Sequence, residues 1–156
     1  MKNLRMIFVL LFIPVSILAQ TYSVGDFTKG GIVFSVDESG KHGLVCAKFD
    51  QMQFGDWHEA VEKCKSLTIF EGGKTYKKWR LPTKEEIDLM FQNRKVIDSI
   101  AIANGGSAFD KELGSYYWSS TEEAGTGAWL YSFGFGYPTL MSKESNSFGA
   151  RAVRSF

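Results

Sequence analysis

Apolar and polar positions alternate with the period of a strand through GGIVFSVDESGKHGLVCAKF. Ile32, Phe34 and Val36 fall on one side, Val33 and Ser35 on the other. DESGKHG is turn chemistry, and Leu44, Val45, Cys46 and Ala47 make a return strand, so the segment predicts a β-hairpin. Gly30 and Gly31 let the backbone enter the sheet without side-chain conflict. The period then lengthens. In GDWHEAVEKCKSL, Trp57, Ala60, Val61, Cys64 and Leu67 lie on one helical stripe. Asp56 followed by Glu59 is the pattern of a capping box, in which each side chain satisfies a backbone N–H of the other's end. EGGKTYKK reads as a loop.

WRLPTKEEIDLMF stops at a proline and becomes a second helix. Pro82 pushes Leu81 out of helical geometry, Thr83 is the N-cap, and Glu86 completes another capping box. Glu85 and Glu86 suit the positive end of the helix dipole, which explains both without chemistry. Ile87, Met90 and Phe91 face a core. Trp79 packs the joint, while Arg80 either pairs with an acidic neighbour or extends a lysine-rich patch. VIDSIAIANGG predicts a further short helix stopped by Asn104-Gly105, and SAFDKELGS a polar loop. YYWSST, AWLYSFGF and FGARAVRSF are strand-like, with GYPTLMSKESNS a long polar loop before the last. Arg151 and Arg154 stand three apart, so on a regular strand they face opposite ways. Strands, two or three helices and more strands describe an α+β domain with an antiparallel sheet. Strand-like ends at both termini of the mature chain suggest that they pair with each other.

The first residues lie outside this pattern. Lys2 and Arg5 precede the unbroken apolar run MIFVLLFIPVSILA, and Ala19 is a small residue at the cleavage position. This is the layout of a secretory signal peptide over 1–19, on a run shorter than the ~20 residues of a membrane span. Residues 20–156 then form a single domain with no integral membrane segment. Of the 156 residues, 18 are basic and 17 acidic. Losing Lys2 and Arg5 leaves a mature net charge near −1, which gives no support to a nucleic-acid or anionic-membrane partner. Cys46 and Cys64 enter an oxidising compartment, where a disulfide is the expected state. It would close a loop worth about 3 kcal/mol. A nucleophilic thiol is the rival reading and would need His42 or His58 as its base.

The chain has no GxSxG, HExxH, Walker or GxGxxG motif, and GFGFG lacks the helix that a phosphate loop requires. Two cysteines and two histidines are too dispersed for zinc. Calcium would need oxygens converging from separate loops. No metal and no cofactor is therefore expected. What stands out is aromatic content, 15% of residues. Trp118 and Trp129, inside strand patterns, are expected in the core. Tyr137, beside Pro138 in a loop, is the candidate for an exposed stacking surface. Lys74, Lys77, Lys78 and Arg80 form a local basic cluster next to Trp79.

The hairpin segment, the helix tryptophan and cysteine, WRLPTKEEIDLMF, YYWSSTE, AWLYSF and ARAVR occur in an order that resembles the Lcl C-terminal domain family, from about Gly30 to Arg154. The resemblance implies a variant of the C-type lectin-like fold: two main helices packed on a twisted antiparallel sheet, with ligand held by loops at one end. One branch of the family is associated with sulfated glycosaminoglycans. Formylglycine-generating enzymes share the wider fold, but their chemistry depends on cysteines late in the domain, and none follows Cys64 here. The calcium-dependent lectin motifs are likewise not matched by Tyr137-Pro138-Thr139 or Trp118-Ser119-Ser120.

These readings converge on a non-enzymatic ligand-binding or adhesion module that is secreted, periplasmic or on the cell surface. Its partner would be a glycan, an anionic polymer or an envelope protein, with no role for nucleic acid. The expected site is borne by the loops 104–115, 122–127 and 134–148. Tyr137 would stack, Lys143 and Asn146 would hydrogen-bond, and the Lys74, Lys77, Lys78 and Arg80 cluster is the candidate anion patch. The alternatives are a structural subunit of a bacterial envelope assembly and, less favoured, an enzyme.

Overall fold

Gly30 and Gly31 set how the chain enters its first sheet. Gly30 has a φ of +82°, and a Cβ there would press on the Tyr76 ring at 2.8 Å. A Cβ on Gly31 would overlap the Cys46 carbonyl oxygen of the neighbouring strand. The computed structural model describes residues 20–109 and 115–156. The expected signal peptide, and residues 110–114 of the loop expected to carry ligand, lie outside the described residues. Strands β1 (Phe27–Thr28), β2 (Gly31–Val36) and β3 (Gly43–Cys46) follow, then β4 (Met52–Gly55) and helix α1 (Trp57–Ser66). The β2–β3 hairpin is the one that the alternation predicts.

Asp56 caps α1 with the predicted box: its carboxylate accepts the Glu59 N–H, and Glu59 accepts the Asp56 N–H. EGGKTYKK is not an irregular loop. Gly72 and Gly73, at φ +55° and +75°, make a tight turn between β5 (Ile69–Glu71) and β6 (Lys74–Tyr76). Two consecutive left-handed residues match the twist of a two-residue hairpin. Thr83 and Glu86 form the second box at the start of α2 (Lys84–Gln92). Asn93 ends α2 and opens α3 (Arg94–Ala103), so the described residues hold three helices, the third over the segment where VIDSIAIANGG predicts a short one.

The remaining strands are β7 (Tyr116–Glu122), β8 (Gly127–Ser132), β9 (Pro138–Ser142), β10 (Phe148–Ala150) and β11 (Val153–Ser155). The segment 134–148, expected to be a loop, thus contains an edge strand, β9, paired antiparallel to β8. One sheet has the order β1-β2-β3-β11, a second β4-β10-β7-β8-β9, and β5-β6 stands as a ribbon. Pairing is antiparallel except between β10 and β7. The architecture is α+β. The two ends of the described chain share the first sheet, but β3 lies between β2 and β11, so they do not pair directly. The WRLPT segment is clipped onto β11 by reciprocal backbone bonds between Arg80 and Val153, at 3.0 and 2.8 Å.

The core has two parts, sorted by the alternation of β2 and β3. Val33 and Val45 belong to the part containing Cys64, Trp79 and Trp118. Ile32, Phe34 and Cys46 belong to the part built on Ile87, Met90, Ile97 and the aromatic rings of Phe109, Tyr117, Tyr131 and Phe133. This corrects the expected disulfide. Cys46 and Cys64 are both free and buried. The residue of β3 on the Cys64 side is Val45, so its neighbour Cys46 projects away from Cys64. Trp118 is fully buried, as expected, and its indole N–H donates to the Gly55 carbonyl. Trp129 is only partly buried. It lies under the Lys84 ammonium, 4.2 Å from its ring centroid, and donates to Glu123. Its place on β8 alternates with Ala128 and Leu130, which take the inward positions.

Candidate functional site

Trp79 is buried, and its indole N–H donates to the Tyr76 carbonyl. That anchor fixes the end of the β5–β6 ribbon and leaves its two neighbours on either side at the surface. Lys78 carries a φ of +65°, a left-handed conformation that a lysine adopts at some cost. Lys77, Lys78 and Arg80 line one broad cleft of about 770 Å³ with Thr75, Arg154 and Ser155. Three of the four predicted patch residues therefore meet. Lys74 does not join them: Thr75 faces the cleft, and on a strand its neighbour Lys74 faces the other way.

The two arginines are held in place. Arg80 makes a two-pronged bond to Glu86, at 2.6 and 2.7 Å, and a third to the Leu81 carbonyl. Glu86 thereby holds the Arg80 guanidinium still more firmly in its charged form. Arg154 donates to the carbonyls of Lys77 and Lys29, both at 3.0 Å, and lies 5.1 Å from the Tyr76 ring centroid. Lys77 and Lys78 are exposed and have no ion-pair partner among the described residues. The cleft thus combines two pre-positioned guanidinium groups, two exposed ammonium groups and two hydroxyls. Such a donor set receives sulfate, carboxylate or phosphate oxygens. Sequence reasoning missed Arg154, although the three-residue spacing from Arg151 places the two on opposite sides. Arg151 is 1% exposed, while Arg154 reaches the cleft.

The predicted loop residues divide differently. Tyr137 is 47% exposed and stacks on Phe135 at 5.8 Å. Its hydroxyl also bonds the Tyr116 phenol, a contact that raises the Tyr116 pKa. Tyr116 and Ser147 line a small cleft of about 150 Å³ with Phe54. Asn146 is exposed and precedes Ser147 in the chain but does not itself line this cleft. Lys143 is separate. Its side chain is 13% exposed, its ammonium lies 2.5 Å from Glu122 and 4.8 Å from the Trp57 ring centroid, and it serves as a structural clamp. Tyr137 and Lys143 stand at opposite ends of β9, roughly 20 Å apart at the rise of an extended strand.

Both thiols are removed from chemistry. Burial pushes Cys46 and Cys64 up to about 12. Among the described residues, no three His, Cys, Asp or Glu side chains gather into a metal-binding group. A family profile described as the Lcl C-terminal domain matches residues 35–154, a span that takes in both capping boxes, the basic cleft and the buried Arg151. No curated protein matches the chain at a significant level.

Proposed function

The chain belongs to the Lcl C-terminal domain family, and from that premise we propose a secreted or surface-exposed, non-enzymatic module that binds an anionic polymer through the basic cleft. The fold is read as a C-type lectin-like variant, with helices packed on antiparallel sheets and the chain ends in one sheet. One observation carries the functional reading. Four cationic side chains line a single cleft, and among the described residues the only acid paired with any of them is Glu86. The expected mature charge is close to zero, so this concentration does not follow from overall composition.

The test is salt-dependent binding to a sulfated or carboxylated polymer such as heparin. Lys77→Ala with Lys78→Ala should weaken binding about tenfold at moderate salt and flatten the dependence of affinity on salt. Equal affinity and equal salt dependence in this variant and the native chain would reject the cleft.

A second reading, an envelope-assembly subunit, has its own observation. From Phe133 to Ser142 there is no charged residue, and Phe135, Tyr137, Leu140 and Met141 are exposed along the edge strand β9. Leu140 and Met141 lie on β9 itself and Phe135 and Tyr137 just before it, and such an edge invites pairing with another chain. Crosslinking on intact envelope separates the two: a fixed protein partner through β9 favours assembly, and a monomer with polymer binding favours the module.

A further inference from the structure

The cleft of about 150 Å³ beside β10 is built in the opposite sense from the basic one, and the two share no lining residue. β10 lies between β4 and β7. β4 supplies Phe54, β7 supplies Tyr116 and Tyr117, and Asp50, Ser115 and Ser147 come from the residues beside the strands. Among the described residues no lysine or arginine lines this cleft, and Asp50 is its single acid. Arg151 pairs with Asp50 from the interior: the Arg151 side chain is 1% exposed and the Asp50 side chain 15%. The carboxylate therefore meets solvent, and its counter-ion does not. The rings act in the same direction, because an aromatic face carries negative charge density. Phe54 is 73% exposed. Tyr116 is held edge-on to Phe148 at 5.8 Å and bonded to Tyr137, so its ring is fixed in place.

That chemistry narrows the occupant. An anionic ligand would face Asp50 with like charge. A metal ion needs several oxygen or nitrogen donors, and a lone carboxylate already engaged with Arg151 does not supply them. An organic cation gains from the rings and from the carboxylate together. Both Asp50 oxygens already accept hydrogen bonds, from Arg151 at 2.6 Å and from Tyr117 at 3.0 Å. A fully methylated ammonium needs no further acceptor, whereas a primary ammonium brings three donors. The volume is below the ~300–1,000 Å³ of a pocket for a drug-sized ligand, so the cleft takes a head group. The adjoining depression of about 540 Å³ shares Asp50, Gln53 and Phe54 and has room for the remainder of such a molecule.

We infer that this cleft binds a quaternary ammonium head group, with Phe54 and Tyr116 as the cation-binding rings and Asp50 as the charge that faces it. The site is independent of the basic cleft and of any polymer held there.

The test is an amide NMR titration of the purified chain with choline chloride, against sodium chloride at equal ionic strength. Choline should give saturable shifts centred on Phe54, Ser115 and Ser147. Its uncharged carbon analogue, dimethylbutanol, should bind about tenfold more weakly, and ethanolamine should also bind more weakly. Phe54→Leu keeps an apolar side chain but removes the ring, and should weaken choline about two- to fivefold. Phe54→Trp should bind at least as tightly as the native chain, since indole is the best cation-binding ring. Phe54 is exposed, and the amide spectra themselves report folding. Lys77→Ala with Lys78→Ala should leave choline binding unchanged, so this site and the basic cleft succeed or fail separately. The inference is overturned if choline gives no saturable shifts there, if the uncharged analogue binds as well, if ethanolamine is preferred, or if Phe54→Leu binds choline like the native chain.

Discussion

Arg80 grips both carboxylate oxygens of Glu86, and Glu86 also accepts the Thr83 backbone N–H at 2.8 Å. One carboxylate therefore serves two tasks: it closes the cap of α2 and fixes a wall of the basic cleft. Burial pushes the Glu86 pKa up, but the Arg80 and Thr83 bonds outweigh it and hold the group below its ordinary 4.5. A depressed carboxylate stabilises the fold above its unfolded pKa, and that stability is lost as pH falls through the folded value. Thermal melts should show the native chain losing more stability than Glu86→Gln between about pH 5 and pH 3. At neutral pH, Glu86→Ala should cost about 1–2 kcal/mol, the scale of a lost cap with a charge-assisted bond. Parallel melting curves for the native chain and Glu86→Gln across that pH range would contradict the assignment.

The two cysteines should behave as inert core residues. Burial raises both thiols to about 12, so a negligible fraction is thiolate at neutral pH. Ellman's reagent should label neither in the native chain and both in denaturant, with no mass change on reduction. A protein two mass units lighter than its sequence, restored by reductant, would show that the pair is oxidised and that β3 is registered differently. Cys64→Ser should destabilise by about 1–3 kcal/mol, because it places a hydroxyl in an apolar cluster.

These residues also show what was legible in the chain. Both capping boxes and the β2–β3 hairpin follow from contacts within a few residues, and the local pattern was sufficient. Arg80 presented two options, and the structure takes both: it pairs with Glu86 and lines the patch. Cys46 and Cys64 illustrate the limit, since their relation depends on which face of β3 meets α1. Lys143 reads as a ligand-binding residue of a polar stretch, yet its partners Glu122 and Trp57 come from distant elements. Arg154 joins the cleft only because β11 pairs with β3 and also meets Arg80. Long-range register leaves no signal in neighbouring residues.

The glycines of the two hairpins should differ sharply in tolerance. A methyl group on Gly31 would meet the Cys46 backbone oxygen, which belongs to the paired strand and cannot move away independently. Gly72 has open space where its Cβ would be, and only its left-handed φ of +55° resists substitution. Chemical denaturation should give a loss above about 2 kcal/mol for Gly31→Ala, a main-chain overlap in the core. For Gly72→Ala the loss should stay near 1 kcal/mol, the penalty of the left-handed backbone alone. The reverse order would mean that β2 and β3 separate more easily than their pairing implies.

Asp50 and Arg151 form the most consequential ion pair, because Arg151 is 1% exposed. Its Nε donates to Asp50 at 2.6 Å, its Nη2 reaches Ser107 and the Ala108 carbonyl at 3.3 Å, and its guanidinium lies 4.0 Å from the Phe109 ring centroid. Tyr117 donates to the second Asp50 oxygen at 3.0 Å. Among the described residues Nη1 has no hydrogen-bond partner, and Asp50 is the acid paired with the cation. Removing one partner leaves a buried, uncompensated charge, and Asp50→Ala should cost about 3–5 kcal/mol. Replacing both groups by apolar residues removes the charge instead of stranding it. Arg151→Met combined with Asp50→Leu should therefore recover much of that loss, and a double-mutant cycle should give a coupling of a few kcal/mol. Additive losses would place the cost in lost packing around Phe109 rather than in the ion pair. Asp50 also lines the clefts on both sides of Phe54. The apolar pair should therefore keep the fold while changing the floor of both clefts, which separates the stabilising role of this pair from any role in binding.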